Sequence, residues 1–173
     1  MRSAGLHRGF ACAWGATLLL IFTIAIVGRT LQHWVESIAS LQAAAYLILG
    51  TIGLTVGGWL ARHARRVPPA RAAVATAVAI GIVAWGLTFD RPEETMHLLL
   101  FGLLGALAVP AFGLPAAIPL ALVCAGADEL LQLYLPDRVG DWPDVGTNTL
   151  AALAGCVLGW AQLGVRDRNG DRQ

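Results

Sequence analysis

The sequence predicts an all-α fold: a polytopic membrane helix bundle of about six transmembrane helices plus a short interfacial amphipathic helix. Three observations predict it. The chain is 57% hydrophobic and only 13% charged, with a mean hydropathy of +0.65, whereas soluble domains are about 25% charged. Apolar runs of the length needed to cross the hydrocarbon core, about 20 residues as a helix, recur along it. Its twelve basic residues, all Arg, collect in alternate connecting segments. At 173 residues the length suits a single transmembrane domain, 1–173.

The first span is 11–28. Arg2 and Arg8 precede its apolar run as they would in a signal peptide, but no small-x-small cleavage site follows, which favours an uncleaved helix. In 30–40, Leu31, Trp34, Val35 and Ile38 recur at i, i+3, i+4, i+7, with Gln32, His33, Glu36 and Ser37 opposite. That is the pattern of a helix lying flat on a membrane, with Trp34 as its anchor. The second span, 41–60, carries Gly50, Gly53 and Gly57 on one face, a spacing that lets helix backbones approach closely in lipid.

The basic loop 62–71 leads into a third span, 72–89. Pro92 suits a first helical position and Glu93 and Glu94 a first turn, so the fourth span runs over 95–110. After the link 111–115, the fifth ends at Pro136. The sixth is 143–163, and 164–173 is a polar tail expected to fray. Cys12, Cys124 and Cys156 show no metal or disulfide spacing and read as small core residues. No metal and no cofactor is expected. A net charge of +1 gives no sign of a nucleic-acid partner.

The N-terminal tail, the 62–71 loop and the C-terminal tail hold nine Arg and two acids, whereas the opposite segments hold Arg29, Arg91, Arg138 and seven acids. By the positive-inside rule both termini are cytoplasmic. The start of span four, the end of span five and the start of span six then meet at the outer surface.

That surface carries the chemistry. The stretch from Asp128 to Asn148 holds five of the eleven acidic residues. Carboxylates near or within a span are costly unless paired, protonated or wet, and by default mark a functional site. Glu129 and Gln132 share a helix face at i, i+3, as do Asp144 and Asn148 at i, i+4. In span six the face of Asn148 continues through Gly155 and Gly159, a small-residue packing stripe that turns Asn148 inward. His97, Glu129, Gln132, Arg138, Asp144 and Asn148 are therefore the candidate ligand-binding set, and His97, Glu129, Arg138 and Asp144 the candidates for any catalytic role. Glu129 or Asp144 is expected to bridge to Arg138. Asp144 also suits the N-cap of span six, and Asp128 is expected to face water near the interface.

The spacing Glu129-x-x-Gln132-x-x-x-Pro136-x-Arg138-x5-Asp144-x3-Asn148, together with Glu93-Glu94-Thr-Met-His97-x3-Phe101, resembles the signature of the VanZ-like membrane protein family. The resemblance covers 93–159 as a core, with extra N-terminal spans at 11–89. The sequence departs from the family pattern at Glu94, Leu98 and Ala151, where Lys, an aromatic residue and Gly are usual. The resemblance implies a multi-pass protein of the bacterial inner membrane, related to accessory proteins of teicoplanin-type glycopeptide resistance. It implies no reaction.

Three readings stay open. In one, a non-enzymatic envelope protein binds membrane lipid, a lipid-linked cell-wall precursor or a glycopeptide, with Arg138 gripping phosphate or carboxylate. In another, a membrane enzyme acts on such a substrate with Glu129 and His97 as acid and base. In the third, a proton-coupled transporter uses the same pair as a relay.

Overall fold

A computed structural model describes residues 2–63, 66–136, 138 and 140–170. Six helices follow one another: α1 (Arg2–Ile38), α2 (Leu41–His63), α3 (Pro69–Gly86), α4 (Thr95–Phe112), α5 (Leu114–Leu133) and α6 (Trp142–Gly170). A 3-10 turn, Pro92–Glu94, precedes α4, and no strand occurs among the described residues. Five stretches, 5–38, 41–63, 69–86, 92–112 and 114–133, are long and apolar enough to cross a membrane. The fold is the expected helical bundle. Its outer face is apolar, with Leu19, Leu47, Leu54 and Val123 all turned outward and Leu54 80% exposed. Apolar surface on that scale is unfavourable in water and natural in lipid.

Local chemistry sets the helix ends. Ser40 Oγ accepts the Ala43 N–H at 3.1 Å and caps α2. Proline occupies the first positions of α3, where its missing N–H costs nothing. Gly113, at φ 83, makes the one-residue turn from α4 into α5, a backbone shape that a Cβ disfavours. Asp141 Oδ1 accepts the Asp144 N–H at 2.9 Å. The cap of α6 is therefore Asp141, and Asp144, expected in that role, lies in the first turn.

Other expectations need correction. Residues 30–38 do not form a separate interfacial helix: they are the last turns of the 37-residue α1. A lone glycine such as Gly28 costs a helix only about 1 kcal/mol, too little to break it. At about 1.5 Å per residue α1 outruns a hydrocarbon core of about 30 Å, so its amphipathic end can project beyond that core. Gly50, Gly53 and Gly57 form no packing face, since a Cβ built on any of them meets nothing within 4 Å. Cys124 and Cys156 are buried, but Cys12 is exposed. The tail remains helical as far as Gly170, and 171–173 lie outside the described residues.

The closest small-residue contact is between α4 and α6, which share the largest interface in the bundle. A Cβ on Gly105 would overlap the Ala152 backbone, and one on Gly155 would overlap the Gly102 backbone. Gly159 in turn faces Ala106 and Val109. Partner numbers rise together, so α4 and α6 run parallel. The α1 helix runs the other way: His7 Nδ1 meets the Pro110 carbonyl oxygen at 2.8 Å, and Trp14 packs edge-on to Phe112. Arg71, at the end of the basic loop, stacks over Trp160 at 4.7 Å, which puts that loop at the same end as the α4 C-terminus. The opposite end gathers the starts of α4 and α6 and the end of α5.

Candidate functional site

At that opposite end, three helices contribute one polar network. On α5, Asp128, Glu129 and Gln132 are 2%, 3% and 4% exposed, and Asn148 of α6 is fully enclosed. Asn148 Nδ2 donates to Glu129 Oε1 at 3.1 Å, and Asn148 Oδ1 lies 2.7 Å from His97 Nδ1 on α4. Because the amide nitrogen is committed to a carboxylate, the amide oxygen must accept, so His97 carries its proton on Nδ1 and keeps Nε2 as a lone pair when neutral. Gln132 Nε2 donates both to Asp128 Oδ2 at 3.0 Å and to Glu129 Oε1 at 3.2 Å. The Asp141 backbone N–H reaches Glu129 Oε2 at 3.3 Å. Glu129 thus ties the end of α5 to the start of α6.

The α4–α6 contact explains why Asn148 can sit there. Glycine and alanine along 102–105 and 151–155 bring the two backbones together, and that approach delivers Asn148 to His97. Phe101 stacks parallel to the His97 ring, with centroids 6.3 Å apart, and holds the imidazole from the apolar side.

His97, Glu129, Gln132 and Asn148, expected from the sequence to converge, are brought into this one network. Arg138 and Asp144 stand at its edge. Neither is exposed, and the charges of Arg138 and His97 both act on the Asp144 carboxylate. The expected bridge from Arg138 to Glu129 or Asp144 is not formed: among the described residues no ion pair within 4.0 Å joins them. The Arg138 guanidinium instead lies against α1, where a Cβ on Gly28 would come 3.0 Å from Nη1. Its Nε is buried and donates to nothing. A side chain at 28 would press on the guanidinium there.

Asp128 is a second correction. Expected to face water, it is buried, and its Oδ1 accepts no hydrogen bond. One carboxylate oxygen each from Asp128 and Glu129 and one His97 nitrogen lie within 4.8 Å of one another. Sequence reasoning also missed α1 and α2. Together with α4 and α5 they wall a cavity of about 140 Å³, apolar along Ile21, Ile24, Leu41 and Ile48. Its polar end is His97, Asp128, Gln132 and Arg138. The amphipathic end of α1, through Leu31, Gln32 and Val35, was the available signal. Leu31 and Val35 of its apolar face meet this cavity, whereas Trp34 and Ile38 are exposed.

Residues 17–163 match the protein-family model described as VanZ/LLP1. No curated protein and no solved structure matches the chain. The match begins well before the 93–159 stretch and takes in most of α1 and all of α2. A membrane-compatible helical bundle matched over 17–163 belongs to the VanZ-like family.

Proposed function

We propose that the chain is an envelope membrane protein whose polar pocket faces outward and takes the anionic head group of a membrane lipid or lipid-linked cell-wall precursor. One observation carries this reading. Arg138, whose buried Nε has no acceptor, lines a cavity that is apolar on one side and hydrogen-bonding on the other. A buried donor left unmet costs about 1–3 kcal/mol, which a phosphate or carboxylate oxygen would recover, and guanidinium suits such oxygens geometrically. The cavity holds a head group or a few methylenes, and the rest of an amphiphile would lie in the surrounding bilayer. The Arg-rich loop lies at the other end of the bundle, and the positive-inside rule puts that end, with both termini, in the cytoplasm. A part in glycopeptide resistance belongs to the same proposal, through effects on access of the drug to such a precursor.

Native mass spectrometry of lipids retained by purified protein tests the reading. Wild type should retain an anionic lipid species, and Arg138→Ala should lose most of it while keeping its helicity. Equal retention by both, or retention of zwitterionic lipid alone, refutes it. Orientation is checked by reporter fusions after Arg71, expected cytoplasmic, and at Asp141, expected external.

An acid/base enzyme is the second reading. It is favoured by a second cavity of about 370 Å³, lined by Glu129, Asp141 and Trp142, which gives the Glu129 side of the network its own approach. Turnover of a lipid-linked substrate that Glu129→Gln abolishes would support it. The proton-coupled transporter gains nothing, since the network stays at one end of the bundle.

A further inference from the structure

We infer that His97, Asp128 and Glu129 form a binding site for one divalent cation of the Mn²⁺–Zn²⁺ class. Their three ligand atoms already lie within 4.8 Å of one another. Donors around one such ion at about 2.1 Å stand roughly 3 to 4 Å apart, so closing the shell draws the donors together by at most about 2 Å. The set is one imidazole and two carboxylates with no thiolate, which suits borderline divalent ions.

Two further observations point to an ion rather than to a self-contained acidic cluster. Asp128 is 2% exposed, lines the cavity beside His97, and its Oδ1 has no donor from the protein. A carboxylate oxygen so enclosed asks for a cation or a proton. Among the described residues no ion pair within 4.0 Å reaches either carboxylate, so neither of these two adjacent buried acids is neutralised by direct contact, and one divalent ion would do so. The surrounding amides are arranged as outer-shell partners of a metal site. Gln132 donates to both carboxylates, and Asn148 donates to Glu129 while accepting from His97. That acceptor leaves Nε2 of a neutral His97 free to ligate, the usual arrangement for a metal-bound histidine.

The inference does not depend on lipid binding, and its test is done without lipid. Untagged protein in detergent is stripped with EDTA, reloaded with Mn²⁺, and bound ion is counted by electron paramagnetic resonance. Wild type should hold one equivalent. Asp128→Asn and Glu129→Gln should each weaken binding at least tenfold, while the exposed pair His33→Gln and Glu36→Gln on α1 matches wild type. ¹⁴N modulation from one imidazole in the wild-type Mn²⁺ spectrum, absent in His97→Gln, identifies the histidine and needs neither carboxylate variant to fold. Wild type holding no ion, binding by both carboxylate variants as tight as wild type, or a Mn²⁺ spectrum without imidazole coupling overturns the site. If the ion fails to bind but anionic lipid retention still depends on Arg138, only this inference falls.

Discussion

Replacing Asn148 with Leu tests whether the network holds three helices together. The shapes are similar, so the change removes two hydrogen bonds, to His97 at 2.7 Å and to Glu129 at 3.1 Å, and leaves no large void. In a soluble core each stranded partner would cost about 1–3 kcal/mol. Within a bilayer, interhelical side-chain bonds average nearer 0.6 kcal/mol and reach about 1.7, because the unfolded helices find other partners in the membrane. Glu129 also keeps its donors Gln132 and Asp141. The bilayer figure therefore applies to the Glu129 bond, and the larger figure to His97, which loses the partner of Nδ1. The expected loss is about 1–3 kcal/mol, read by SDS-titrated unfolding in mixed micelles. A cycle with His97→Ala separates the network from simple loss of ring packing on Phe101, and should give a coupling of at least about 0.5 kcal/mol, the threshold for residues in one network. A loss below that threshold, or additive single variants, would refute the claim that the network couples α4, α5 and α6.

The α4–α6 contact should tolerate no added side chain. Gly155→Val drives a branched Cβ into the Gly102 backbone and should cost more than about 3 kcal/mol or prevent folding, since overpacking a tight core typically costs 1–3 and here the obstacle is backbone. Gly53→Ala, facing open space, should be neutral or stabilising by up to about 1 kcal/mol from helix propensity; thermal melts of the two variants check both. Asp141→Ala should destabilise by about 1 kcal/mol through loss of the α6 cap. Asp144→Asn should leave stability unchanged, because Asp144 contributes its backbone N–H and not a capping oxygen. Equal effects of those two variants in the same melts would put the cap elsewhere.

The helical class was legible in the sequence because a bilayer leaves the backbone few options. With no water to bond, each spanning segment must satisfy its own N–H and C=O groups, and a run of about 20 apolar residues then reads directly as a helix. Convergence of His97, Glu129, Gln132 and Asn148 was legible for a related reason. Consecutive helices alternate direction, so the start of one span, the end of the next and the start of the one after must share a surface.

What only the tertiary structure decided are the pairings. Periodicity says which face of a helix is polar, but not which neighbour it meets. Gly50, Gly53 and Gly57 carry the same spacing signal as the α6 stripe, yet α2 has nothing against them while α6 locks onto α4. Asp128 and Glu129 are adjacent in sequence, and helical geometry turns them about 100° apart. Both are nevertheless buried, because α4 and α6 close over α5 from different sides. Arg138 pairs with neither carboxylate and instead lies against Gly28 of α1, more than a hundred residues earlier. A one-dimensional pattern cannot encode that choice: it depends on which helix ends the packing of small residues brings within reach.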